Sequence, residues 1–185
     1  MSLVAFFGRL APALERVGVE WMLSGSLASA FHGTPRSTQD IDIVVVLTRG
    51  RLAALLAEFP DDAYYVSDAA ARDAVRRLGQ FNVIDLETGW KADLILRKRR
   101  PFSRVEFDRR VEREVLGVVV PICTPEDSIL SKLEWARKQG GSERQIADAR
   151  GVMELQGEAL DMAYIERWAA ELGVLDSWGR LRRGG

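Results

Sequence analysis

Apolar side chains recur at three- and four-residue intervals at Leu3, Phe6, Phe7, Leu10, Leu14 and Val17. That period predicts an amphipathic helix over residues 3–17, stopped by Gly18. "VEWML" (19–23) reads as a short strand, and "SLASAFH" (26–32) as a helix running up to Gly33, a candidate C-cap. "TPRSTQ" (34–39) is a loop with Pro35 as its breaker. "IDIVVVL" (41–47) is a continuous, β-branched apolar run, the mark of a central strand. "RGRLAALLAEF" and "SDAAARDAVRRL" predict two further helices, the second with Ser67 as N-cap. "FNVIDLE" (81–87) and "KADLIL" (91–96) read as strands on either side of "TGW", which predicts a hairpin. "SRVEFDRRVEREV" (103–115) reads as one charged helix and "GVVVPIC" (117–123) as a strand.

From Thr124 onward the texture is helical. Thr124 is a cap, Pro125 takes the first helical position, and Glu126 and Asp127 sit in the first turn, where the helix dipole favours them. Strands and helices therefore mix up to residue 123 and helices dominate after it. This predicts an α/β core over residues 1–123 and a C-terminal helical segment over 124–185 packed on that core, with Gly140-Gly141-Ser142 the most flexible point. The 185 residues suffice for one domain with a real core.

Charge narrows the function classes. A net charge of -1 argues against a large basic face for nucleic acid, while leaving room for a local patch. The single cysteine, Cys123, excludes an internal disulfide and a cysteine-only zinc site, and its apolar surroundings predict a buried spectator. Arg9, Glu15 and Arg16 interrupt the N-terminal apolar pattern, unlike a signal peptide, and no segment reaches the ~20 apolar residues of a membrane span. A cytoplasmic protein without a membrane partner is expected.

The chemistry concentrates in "LSGSLASAFHGTPRSTQDIDIVVVL" (23–47). Gly25 lets backbone approach a ligand closely, and Ser26 opens a helix whose free N–H groups and dipole favour a phosphate. Asp40 and Asp42 are two apart, so in a strand they share one face. Two carboxylates that close repel each other, and a divalent cation relieves the repulsion. Oxygen-only ligands beside a phosphate site suit Mg²⁺ or Mn²⁺. A third carboxylate would complete a two-metal site, and Asp93 is the leading candidate, with Asp85 its rival.

A hydrophobic-Gly-Ser element separated by thirteen residues, Leu27 to Gln39, from Asp40-Ile41-Asp42-Ile43 resembles the signature of the nucleotidyltransferase superfamily, with its polymerase-beta-like fold. More narrowly, "GSLASAFHGTPRSTQDIDIVV" resembles small proteins akin to the AbiE-type toxin, in which an Arg-x-Thr segment, here Arg36 to Thr38, leads into the aspartates. "PEDSILSKLEWAR" and "RQIADA", carrying Glu126, Asp127, Lys132, Arg144 and Asp148, resemble the same group. The resemblance implies a mixed, twisted sheet flanked by helices. It implies transfer of a nucleotidyl group from an NTP to a hydroxyl acceptor with release of pyrophosphate. Asp40, Asp42 and Asp93 would be the metal-binding catalytic carboxylates, and Gly25, Ser26, Arg36 and Lys132 the phosphate-binding residues. The acceptor stays open between tRNA, a protein and a small molecule, and an antitoxin is a candidate partner. The competing reading is a module of the same fold that binds nucleotide or partner without catalysis.

Each residue also has a plainer reading. Asp40 and Asp42 can cap a turn, and Asp93 can face solvent on an edge strand. Arg36 can clamp a phosphate or pair with Asp40. Lys132 can reach a triphosphate, pair with Asp148 or stay solvated. Arg144 and Asp148, four apart on a helix, are expected as a local ion pair. His32, the only histidine, is expected to be structural.

Overall fold

The inner strands gather into one sheet because they carry buried apolar side chains. The computed structural model describes residues 2–38 and 40–184, and the chain divides into two compact units, residues 1–24 with 38–122 and residues 25–37 with 123–185. The first unit holds a mixed seven-stranded sheet in the order β3-β4-β5-β2-β1-β7-β6. Its strands are β1 (Glu20–Ser24), β2 (Asp40–Val46), β3 (Tyr64–Tyr65), β4 (Gln80–Asp85), β5 (Lys91–Leu96), β6 (Val111–Val115) and β7 (Val118–Ile122). β2 runs parallel to β5 and antiparallel to β1. The central strand is buried on one face only: Ile41, Ile43 and Val45 are fully buried, while Asp40, Asp42, Val44 and Val46 on the opposite face are half-buried. Leu94 and Val83 of β5 and β4 add to the buried face. Each such side chain contributes about 1.5–3 kcal/mol.

Helices α1 (Leu3–Arg16), α3 (Arg49–Ala57), α4 (Asp68–Arg77) and α5 (Pro101–Asp108) belong to this unit. Ser67 caps α4 by accepting a hydrogen bond from the Ala70 amide, as its position predicts. The hairpin through "TGW" also forms, closed at Gly89 by a hydrogen bond to the Asp85 carbonyl. The single helix expected over 103–115 does not. α5 stops at Asp108, and β6 pairs antiparallel with β7. The connection is Leu116-Gly117, with φ of 53° and 79°. Two successive positive φ values make a tight hairpin whose twist matches its strands. "VEREV" alternates with period two, and its charged positions Glu112, Arg113 and Glu114 are exposed. Strand β3 has no counterpart in the sequence reading, since two tyrosines are too few to show a period.

The second unit is helical among its described residues: α2 (Gly25–His32), α6 (Pro125–Lys138), α7 (Glu143–Gln156), a short 3₁₀ turn, α8 (Met162–Glu171) and α9 (Leu175–Arg182). The Gly-Ser segment thus clusters with the C-terminal helices, although the sequence pattern groups it with the strands. Thr124 caps α6 as expected, accepting from the Asp127 amide. Asp127 is fully buried and accepts from the Tyr164 hydroxyl, and Glu126 accepts from the Asp161 amide, so both acids tie α6 to the start of α8. His32 is structural, as expected: it is buried, with Nε2 2.7 Å from the Cys123 carbonyl oxygen, which only accepts. Cys123 is likewise buried.

Gly33 follows α2 without entering the left-handed region, so the C-cap expectation gives way to a packing reason. A Cβ there would lie 2.5 Å from the Val152 amide nitrogen, and one at Gly151 would lie 2.8 Å from the Thr34 hydroxyl. The α2–α7 contact therefore depends on both glycines. Gly33→Ala meets rigid backbone and is expected to cost about 2–3 kcal/mol, read as a lower chemical-denaturation midpoint. Gly50→Ala, whose added Cβ meets nothing within 4 Å and whose φ is not positive, is the control without a clash and is not expected to lower the midpoint. No helix among the described residues is long and apolar enough to cross a membrane.

Candidate active site

Strand register settles which side chains of the first unit share a face. Asp42 lies directly beside Asp93 on the parallel neighbour β5, and Asp93 lies beside Asn82 on β4. Asp40 lies beside Lys91 by the same register. Residues in register on adjacent strands point to the same side, so Asp40, Asp42, Asp93, Asn82 and Lys91 form one polar patch. The fully buried Ile41, Ile43 and Leu94 occupy the opposite side. β5 lies between β4 and β2, which removes the edge-strand reading of Asp93.

The patch is internally tied. The Lys91 ammonium lies 3.4 Å from an Asp40 carboxylate oxygen and 3.3 Å from an Asp93 carboxylate oxygen. The Asn82 amide donates to the same Asp93 oxygen, Oδ1. Burial works against the charge of Lys91, but the Asp93 and Asp40 carboxylates outweigh it and hold its pKa above the ordinary lysine value. Thr38 steadies the entry to β2: its hydroxyl donates to the Asp40 carbonyl at 3.0 Å. Asp85, the rival third carboxylate, is excluded by the alternation of β4, which puts it on the buried face. There it pairs with Arg9 and accepts from the amides of Glu87 and Thr88, closing the hairpin turn.

The second unit assembles the other predicted residues. Gly25 has φ 63°, the left-handed conformation that glycine adopts freely, and it turns the chain from β1 into α2. The Ser26 hydroxyl accepts from Arg36 at 2.7 Å and from Lys132 at 3.2 Å. Both cations also converge on Asp148. Arg36 pairs with it through two nitrogens, at 2.6 and 2.8 Å, and Lys132 donates to it at 2.7 Å. Arg36 therefore pairs with Asp148, not with Asp40, and Asp148 is bonded across to α6 and the α2–β2 loop instead of to Arg144. Burial would raise the Asp148 pKa, but its bonds to Arg36 and Lys132 prevail and hold it below the usual carboxylate range. A groove of about 510 Å³, lined by Thr34, Arg36, Glu143, Ile146, Asp148 and Arg150, opens beside this cluster.

Lys91, Asn82 and the pairing of Asp148 with Arg36 have no counterpart in the sequence reading, whereas the Lys132–Asp148 pair is one of its alternatives. Lys91 could have been found, because it stands two residues before Asp93 and so shares its face. Asn82 could not, since its place depends on hairpin register. Among the described residues no group of three or more carboxylate, histidine or cysteine side chains forms a ready cation cage. In kind the donors suit a hard divalent cation, being three carboxylates on one face of two adjacent strands, but the Lys91 ammonium stands between two of them.

Comparison with known proteins bears on the fold. No protein-family model matches the sequence, and no curated protein matches it. Solved structures do. ANT(2'')-Ia in complex with adenylyl-2''-tobramycin superposes with a TM-score of 0.64 at 14% identity, over 93% of this chain and 97% of that one. An antigenic nucleotidyltransferase-like protein from Paracoccidioides brasiliensis gives 0.60 at 16% identity, over 97% and 92%. The lincosamide antibiotic adenylyltransferase LnuA, lincomycin-bound, gives 0.56 at 13% identity, over 84% and 98%. The chain has the nucleotidyltransferase fold.

Proposed function

We propose that this protein is a nucleotidyltransferase, moving a nucleotidyl group from a nucleoside triphosphate to a hydroxyl acceptor with release of pyrophosphate. The observation that carries the proposal is the in-register placement of Asp42 beside Asp93, with Asp40 on the same face. In this reading Asp93, oriented by Asn82, accepts the proton of the attacking hydroxyl. The acceptor oxygen bonds to the α-phosphorus as the bond to the bridging oxygen of pyrophosphate breaks. Ser26, Arg36, Lys132 and the first turn of α2, gathered in the second unit, are the proposed phosphate-binding groups. Asp40, Asp42 and Asp93 would hold Mg²⁺ or Mn²⁺, which would supply charge neutralisation at the reacting phosphate.

The acceptor is a finer matter. Two of the similar structures are named for adenylylated or lincosamide antibiotics, which supports a small-molecule hydroxyl. The Arg36–Thr38 lead-in and the α6–α7 motifs support the toxin-like group, with an antitoxin as partner and tRNA among the acceptors. For an RNA acceptor, Arg97, Lys98, Arg99 and Arg104 line one groove of about 340 Å³ and offer a local basic surface despite the near-neutral chain. The second reading, a binding module without catalysis, is favoured by one observation: Lys91 already neutralises part of the carboxylate patch. Incubation with each labelled triphosphate and Mg²⁺ or Mn²⁺, with and without tRNA, lysate or aminoglycosides, tests the proposal. A labelled product supports the transferase. Nucleotide binding with no product under any acceptor supports the module.

A further inference from the structure

We infer that Lys91 is a resident counter-ion that holds the carboxylate patch in a form resistant to free divalent cations. The inference rests on the proposed function, because it takes Asp40, Asp42 and Asp93 as cation ligands. Its basis is geometric. One ammonium lies within 3.4 Å of Asp40 and within 3.3 Å of Asp93, two of the three carboxylates that would ligate a cation. Asn82 occupies the same Asp93 oxygen that Lys91 approaches. A cation entering there must break both contacts of Lys91 and meet a positive charge at close range, where repulsion is strong.

Lys91 is placed to do this by strand geometry. It precedes Asp93 by two residues on β5, so it shares that face, and it pairs in register with Asp40 on β2. Its side chain is one-third exposed, so it can swing outward when displaced. An arriving triphosphate offers the displaced ammonium a new anionic partner that a free metal ion does not. The patch is therefore expected to bind a divalent cation weakly alone and more tightly with a nucleotide present. By linkage, each ligand strengthens the other by the same factor. Lys91 thus couples the two ligands, and its charge is the coupling element.

The test is direct Mn²⁺ binding to the intact chain, followed by electron paramagnetic resonance at fixed pH, with and without a non-hydrolysable triphosphate analogue. Lys91→Met is expected to bind Mn²⁺ alone about tenfold more tightly than the wild type, and to show a smaller gain on adding the analogue. Lys91→Arg keeps the charge and is expected to behave like the wild type. The inference is overturned if Lys91→Met binds Mn²⁺ alone with unchanged or weaker affinity. Asp42→Asn in each background separates this from failure of the functional reading. If Asp42→Asn leaves Mn²⁺ binding intact, the ion lies elsewhere and both fall. If it removes binding while Lys91→Met changes nothing, the counter-ion role alone falls.

Discussion

Asp148→Asn is expected to destabilise the protein by about 3 kcal/mol, seen as a drop of roughly 6–12 °C in thermal midpoint. Asp148 is the carboxylate on which Arg36 and Lys132 both converge, and the Lys132 side chain is only 5% exposed. Removing one partner of a buried pair leaves the other charge without compensation, and that penalty exceeds what the pair contributes over neutral side chains. The effect has a pH signature. The folded-state pKa of Asp148 is depressed, so its contribution is complete above the unfolded value near about 3.9 and is lost as pH falls through the folded value. The stability gap between wild type and variant is therefore expected to be constant from pH 5 to 7 and to close only in stronger acid. Denaturation followed by circular dichroism across that range measures it. Equal midpoints at pH 7 would mean the cluster is relaxed in solution and does not pre-position the two cations.

The carboxylate patch was legible in the sequence to different depths. The common face of Asp40 and Asp42 follows from strand periodicity alone, and the buried alternation of β2 bears it out. That Asp93 and not Asp85 lies beside them required the register of three strands, which depends on where the hairpin turn falls. The same limit hid β6: charged residues at 112–114 look helical in composition, while the turn at Leu116-Gly117 is what commits them to a strand. Local spacing offers Arg144 as an i,i+4 partner of Asp148, with Lys132 as a second candidate. Its bonds span 112 and 16 residues, to Arg36 and Lys132. Gly33 shows the converse. A glycine after a helix suggests a cap, yet it is the Val152 backbone that excludes a side chain. Long-range packing decides both cases, and no periodicity reports it.

The second large effect concerns Asp42, which lies in register beside Asp93 and shares a face with Asp40. Asp42→Asn keeps shape and volume while removing one charge from a half-buried position on the central strand. Its thermal midpoint is expected to stay within a few degrees of the wild type, because the side chain lies on the half-buried face and not in the core. Nucleotidyl transfer is expected to fall by at least about a thousandfold, since charge compensation at the reacting phosphate would be lost. The decisive measurement is transfer of label from an α-labelled triphosphate to an acceptor by wild type and Asp42→Asn side by side, with folding of both verified. Transfer by the wild type that vanishes in the variant is the predicted result. Equal transfer by the two proteins would contradict it, and would place any activity away from the Asp40–Asp42–Asp93 face.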